Sequence, residues 1–144
     1  MRNFITYHTP PAYSKQFDEY SNLLNLKNAN VISALIFGVS VLARILYTVS
    51  VKDLTKLKAF EELNINNYAQ IVCSLVFFLL TYVAINSTKM SLSQKKILVI
   101  AFICYLLTAA YVLSHIISRH NTKNTLVALL MGIFMAGLFF SIKK

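Results

Sequence analysis

The chain has 144 residues, of which 57% are hydrophobic and only 13% are charged. Soluble domains carry roughly a quarter charged residues, and here the apolar residues form blocks separated by short polar gaps, which is typical of a membrane protein. The net charge is +9, but the basic residues lie in those gaps, where anionic lipid and the positive-inside rule account for them. No Lys/Arg cluster alternates with stacking aromatic residues, so we expect no nucleic-acid partner.

The N-terminal segment, residues 1–30, is polar and rich in aromatic residues. A Thr-Pro-Pro run at residues 9–11 predicts a helix start, and four large side chains then recur at spacings that place them on one helical face. We expect an amphipathic helix lying at the membrane surface with this stripe in lipid. The alternative is a docking surface for a soluble cytoplasmic partner. The stripe consists of Tyr13, Phe17, Tyr20 and Leu24.

The apolar blocks predict transmembrane helices, since each approaches or exceeds the roughly 17–25 residues that cross the hydrocarbon core. The first block begins after a polar stretch too long for a signal peptide, so we expect it to remain as a signal anchor. The fold class predicted is therefore an all-α, four-transmembrane-helix bundle, one membrane domain over residues 1–144, preceded by the interfacial helix. The predicted spans are residues 31–51, 69–85, 97–118 and 126–142.

Orientation follows from the Lys and Arg residues in the gaps. The N-terminal segment, the second gap and the C-terminus together carry eight of these residues, whereas the first and third gaps carry five. Because basic residues favour the cytoplasmic side, both termini are predicted to be cytoplasmic in an inner or plasma membrane. Lys56 and Lys123 would then lie on the outer side.

Motifs that indicate catalysis, a metal or a cofactor are missing from the sequence. No Asp or Glu lies in any predicted span, and there is no HExxH, CxxC, GxSxG or phosphate-cradling glycine loop. Cys73 and Cys104 lie inside apolar blocks, so no disulfide is expected and both should act as small hydrophobic residues. We therefore predict a non-enzymatic protein without cofactor or metal.

Polar residues inside the spans are the candidate functional residues, because hydrocarbon offers them no partner. Each of the first three spans carries a polar stripe at helical spacing: Ser33, Ser40, Arg44 and Tyr47; Gln70, Ser74 and Thr81; and Cys104, Thr108, Tyr111, His115 and Ser118. Such stripes should face the bundle interior. Similar depth predicts one cluster in the outer half of the membrane, formed by Arg44, Tyr47, Gln70, Tyr111 and His115.

Two of these residues have a structural and a functional interpretation. Arg44 either snorkels to the headgroups or bonds a neighbouring helix, or it gates an ion path. His115 is either a buried imidazole bonded to a Tyr or Ser, or a proton-sensitive switch, because histidine titrates near physiological pH.

The fourth block carries small residues every four positions, Ala128, Gly132 and Ala136. Such a ladder lets another helix approach closely. It forms a seam either within one bundle or between copies, and we favour a homo-oligomer.

In size, helix count and basic ends the chain resembles small bacterial membrane proteins of bacteriocin immunity or phage exclusion. This resemblance covers topology and includes no shared motif. We expect a membrane sensor or channel-like effector coupled to a soluble cytoplasmic partner, in bacterial defence. The alternatives are a structural subunit or anchor of a larger complex and, third, a small-solute transporter.

The predicted topology can be tested with single cysteines placed at positions 56, 92 and 123 of a cysteine-free variant. An impermeant thiol reagent applied to intact cells should label positions 56 and 123, which we place outside, and spare position 92. Labelling of position 92 alone would invert the topology.

Overall fold

The computed structural model describes residues 11–49 and 60–120, with residues 130, 132, 133, 136, 137 and 140 of the C-terminal segment. It contains three α-helices, α1 (Pro11–Val49), α2 (Phe60–Asn86) and α3 (Leu92–His120), and no strand occurs in the described part. All three are long and apolar enough to cross a membrane. The predicted all-helical architecture is thus confirmed for three helices, and the chain has the features of a multi-pass membrane protein.

α1 is one continuous helix of 39 residues, about 58 Å long at 1.5 Å per residue. The predicted separate interfacial helix before residue 31 is therefore wrong. Residues 12–37 contain neither Gly nor Pro, so no residue there ends the helix. Polar residues of the predicted N-terminal segment face inward instead, with Asn22 and Asn25 buried along with Leu26 and Ala29.

α2 and α3 contain the predicted second and third spans and extend beyond them at both ends. α2 begins with Glu61 and Glu62 in its first turn, where acidic side chains interact favourably with the helix dipole. α3 begins with a capping box, in which Ser91 N–H donates to Gln94 Oε1 at 2.9 Å and Gln94 N–H donates to Ser91 Oγ at 3.3 Å.

α2 runs antiparallel to both of its neighbours. Against α1, the ring of Phe60 lies 6.1 Å from that of Tyr47 at one end, and Thr81 meets Asn30 at the other. α1 and α3 are therefore parallel. Small residues with no exposed surface let the helices approach closely; these are Ala29, Ser33, Ser74, Thr81 and Ala84.

The predicted fourth span falls mostly outside the described residues, as does Ala128. Gly132 lies against α3, where an added Cβ would overlap the Cβ of Ala110. Ala136 packs against the hydrophobic core, and the Phe140 ring lies 5.9 Å from that of Phe102. Contacts 132–110 and 140–102 imply that this segment runs antiparallel to α3. The described part of the ladder thus contacts a helix of the same chain.

We predict that Gly132→Leu destabilises the bundle by about 1–3 kcal/mol, because the new side chain overpacks the contact with Ala110. Gly137→Leu is the matched control, since nothing lies within 4 Å of a Cβ built there. Thermal unfolding in mild detergent would measure both, and Ala110→Gly should partly restore the first variant.

Equal stability of the two leucine variants would contradict this contact. A lower oligomer mass in Gly132→Leu, at unchanged stability, would instead assign the ladder to contacts between copies.

Candidate functional site: a polar seam between α1 and α2

Asn30 joins the two helices near the middle of the bundle. Its Nδ2 donates to the carbonyl oxygen of Phe78 at 2.9 Å and to Thr81 Oγ1 at 3.0 Å. The Thr81 hydroxyl in turn donates to Phe77 O at 2.7 Å within its own helix. The amide nitrogen of Asn30 thus finds its hydrogen-bond acceptors on the other helix, in a region where hydrocarbon supplies no partner.

Asn67 makes the reciprocal bond from α2, donating through Nδ2 to Ser40 O at 3.0 Å. Its Oδ1 is buried and has no hydrogen-bond partner among the described residues. The seam hydroxyls are bonded within their own helices, with Ser33 Oγ donating to Ala29 O at 2.6 Å. Two members of the predicted stripes, Ser40 on α1 and Thr81 on α2, therefore lie at this seam.

Arg44 continues this seam toward the start of α2. Its Nη1 donates to Asn64 Oδ1, and the guanidinium carbon lies 4.4 Å from the centre of the Tyr68 ring, a cation–π contact. Tyr47, one turn further along, packs edge-on against Phe60. Arg44 and Tyr47 thus contact the same two turns of α2.

The other three members of the predicted cluster lie elsewhere. Gln70 Oε1 accepts a hydrogen bond from the Tyr105 hydroxyl at 2.7 Å, which links α2 to α3. Tyr111 and His115 stack on each other at 6.2 Å on the exposed side of α3. Among the described residues no contact joins Arg44 to Gln70 or to His115.

Sequence analysis missed the asparagines that cross the seam, because Asn30, Asn64 and Asn67 lie outside the predicted spans. A signal for them exists. Asn67 precedes Ser74 by seven residues and therefore continues the polar face predicted for α2. Extending each stripe beyond its apolar block would have found it.

The N-terminal stripe and one of the two cysteines lie on exposed surface. All four residues of the N-terminal stripe are exposed: Tyr13 by 62%, Phe17 by 46%, Tyr20 by 67% and Leu24 by 44%. Cys73 is half-buried, Cys104 is exposed, and neither is in a disulfide.

Comparison with protein-family models, with curated proteins and with solved structures finds no match for this chain. Function must therefore be inferred from the site. Within the described ranges, no group of three or more His, Cys, Asp or Glu residues is placed to hold a metal ion. The chemistry that the seam offers is hydrogen bonding between helices, supplemented by one cation–π contact.

We predict that Arg44→Leu destabilises the bundle by about 1–2 kcal/mol, since it removes an interhelical hydrogen bond and a cation–π contact. Arg44→Lys should restore only part of this, because an ammonium lacks the planar guanidinium. Arg119→Leu is a suitable control. Arg119 pairs with Glu62 at 2.9 Å, but its side chain is 61% exposed, so its loss should cost about 0.5 kcal/mol or less.

Thermal unfolding in detergent would compare these variants. Wild-type stability in Arg44→Leu would mean that Arg44 snorkels and that its contacts with α2 contribute nothing.

Proposed function

We propose that this chain is a non-enzymatic membrane subunit that anchors a soluble cytoplasmic protein to the bilayer. The observation that most directly supports this proposal is that seam residues of α1 and α2 pair with each other, while the aromatic stripe of α1 is exposed. A pore lining needs polar groups that remain open to water or ions. Groups paired across a seam instead hold the helices together.

The length of α1 supports a docking role for its first turns. At about 58 Å it is nearly twice as long as the ~30 Å hydrocarbon core. Lys96 Nζ lies 3.9 Å from Asp18 Oδ2, so residue 18 is level with the start of α3, next to the turn that joins α2 and α3. Tyr13 and Phe17 therefore lie beyond the apolar part of the bundle.

Exposed aromatic residues on one face of a projecting helix fit the groove of a helix-binding partner. Tyr20 and Leu24, the two stripe residues nearer the apolar part of the bundle, would lie in the headgroup region.

The finer topology belongs to this proposal. We place four spans in an inner or plasma membrane, the fourth being the C-terminal segment that contacts α3, and both termini in the cytoplasm. The eight-to-five distribution of basic residues supports this orientation. The interfacial role of the N-terminal segment then belongs to the first turns of α1 rather than to a separate helix.

A sensor or channel-like effector is the second candidate, and the position of His115 favours it. Tyr111 and His115 stack on the exposed side of α3, where a second copy of the chain would bury them. A homo-oligomer could then form a polar path that one chain lacks. A role in bacterial defence is supported only by size, helix count and basic ends. A small-solute transporter has no supporting observation.

If the chain anchors a soluble protein, we predict that a specific protein co-purifies with the wild-type chain in mild detergent. Tyr13→Ala with Phe17→Ala should lower its recovery by about tenfold or more, because buried aromatic anchors dominate interface energy. The control is Val39→Ala with Leu42→Ala, which removes exposed side chains from the last third of the same helix.

Equal recovery with both double variants would contradict docking through the stripe. Anion-selective current from the wild-type protein in planar bilayers, altered by Arg44→Leu, would favour the channel-like effector instead.

A further inference from the structure

A cleft of about 390 Å³ lies at the end of the bundle that carries the turn between α2 and α3. α1 forms one wall, and the last residues of α2 and the first turn of α3 form the others. The lining includes Glu19, Asn22, Leu23, Ile85, Asn86 and Lys95.

Asn22 is the unusual residue in this lining. It is only 5% exposed, yet its side-chain amide makes no hydrogen bond to any residue in the described part of the chain. The amides of Asn30 and Asn67 bond across the seam. Asn67 Oδ1 is the one fully enclosed polar atom without a partner in the described part of the chain, so the Asn22 amide keeps some access to the cleft that it lines, where a ligand could bond it.

The cleft also holds one unpaired charge of each sign. Glu19 and Lys95 have no ion-pair partner among the residues described. Their sequence neighbours Asp18 and Lys96 do pair, at 3.9 Å. A ligand that carries both an anionic and a cationic group would therefore meet a counter-charge for each.

The position of the cleft relative to the membrane indicates the source of such a ligand. Asn22 precedes Arg44 by 22 residues, about 33 Å along α1, and Lys95 precedes Arg119 by 24 residues, about 36 Å along α3. Each distance is slightly more than the ~30 Å thickness of the hydrocarbon core. With Arg44 and Arg119 at one surface, the cleft opens at the headgroup level of the other.

We propose that this cleft binds the headgroup of a zwitterionic phospholipid with a primary ammonium group, of the phosphatidylethanolamine class. Lys95 and the Asn22 amide would bond the phosphate, Glu19 would accept from the ammonium, and Leu23 and Ile85 would contact the start of an acyl chain. This site requires the helices to cross a membrane, but it depends on neither the anchor nor the channel-like function.

The full chain, purified in a neutral maltoside detergent, would be titrated with short-chain phosphatidylethanolamine and phosphatidylglycerol, and with soluble phosphoethanolamine. Native mass spectrometry counts bound lipid, and thermal unfolding reports stabilisation. We expect about fivefold tighter binding of phosphatidylethanolamine than of phosphatidylglycerol, because only the former carries the ammonium. Soluble phosphoethanolamine should bind far more weakly, since it lacks the acyl chains.

Glu19→Gln should remove the preference for phosphatidylethanolamine while retaining phosphate binding, and Lys95→Met should weaken both lipids. Glu61→Gln and Lys15→Met, charge removals outside the cleft, should change neither. Equal binding of both lipids by wild type, or a preference that survives Glu19→Gln, would overturn the proposal. Phosphoethanolamine binding as tight as the lipid would also overturn it, by showing a soluble ligand. Thermal unfolding without lipid separates a folding defect from lost binding.

Discussion

The structure depends on one constraint, that polar groups inside an apolar environment must find their partners within the protein. The side-chain nitrogens of Asn30 and Asn67 meet it by donating across the α1–α2 seam, each to a main-chain carbonyl of the other helix, whereas Asn67 Oδ1 has no partner among the described residues. Ser and Thr hydroxyls meet it within their own helices. Their small size then lets the helices approach closely enough for the asparagine bonds to form.

This arrangement explains the unusual outer surface. In the most apolar stretch of each helix, only 22% of the residues of α1, 17% of those of α2 and 22% of those of α3 are buried within the chain. Large side chains such as Leu35, Val39 and Leu79 are more than half exposed. In water such a surface would aggregate, whereas in a bilayer lipid covers it without cost. Packing of small and polar residues inside, with large apolar residues outside, is the usual solution when lipid removes the hydrophobic driving force between helices.

The sequence predicts the existence of the three helices well, because length and apolar composition alone define a span. The prediction failed at residue 31, because the polar segment that precedes the first apolar block is part of the same continuous helix α1. The sequence also shows the polar stripes, but a stripe on one helix does not indicate which neighbouring helix it faces. Arg44 and His115 were predicted at similar depth, yet α3 directs His115 outward while Arg44 meets α2. Pairing of helices is a property of the whole bundle, and no local pattern encodes it.

Both ends of the bundle carry an ion pair, Asp18 with Lys96 at one end and Glu62 with Arg119 at the other. At the Arg44 end, Arg44 bonds Asn64, and Glu62 contacts both Arg119 and His120. At the opposite end Glu19, Lys95 and the Asn22 amide line a cleft and make no such side-chain contact with any described residue. A charge that has no partner within the protein is available to a ligand. The projecting turns of α1 lie at that same open end. A lipid headgroup bound in the cleft would brace α1 against α3 and fix the direction in which the aromatic stripe projects.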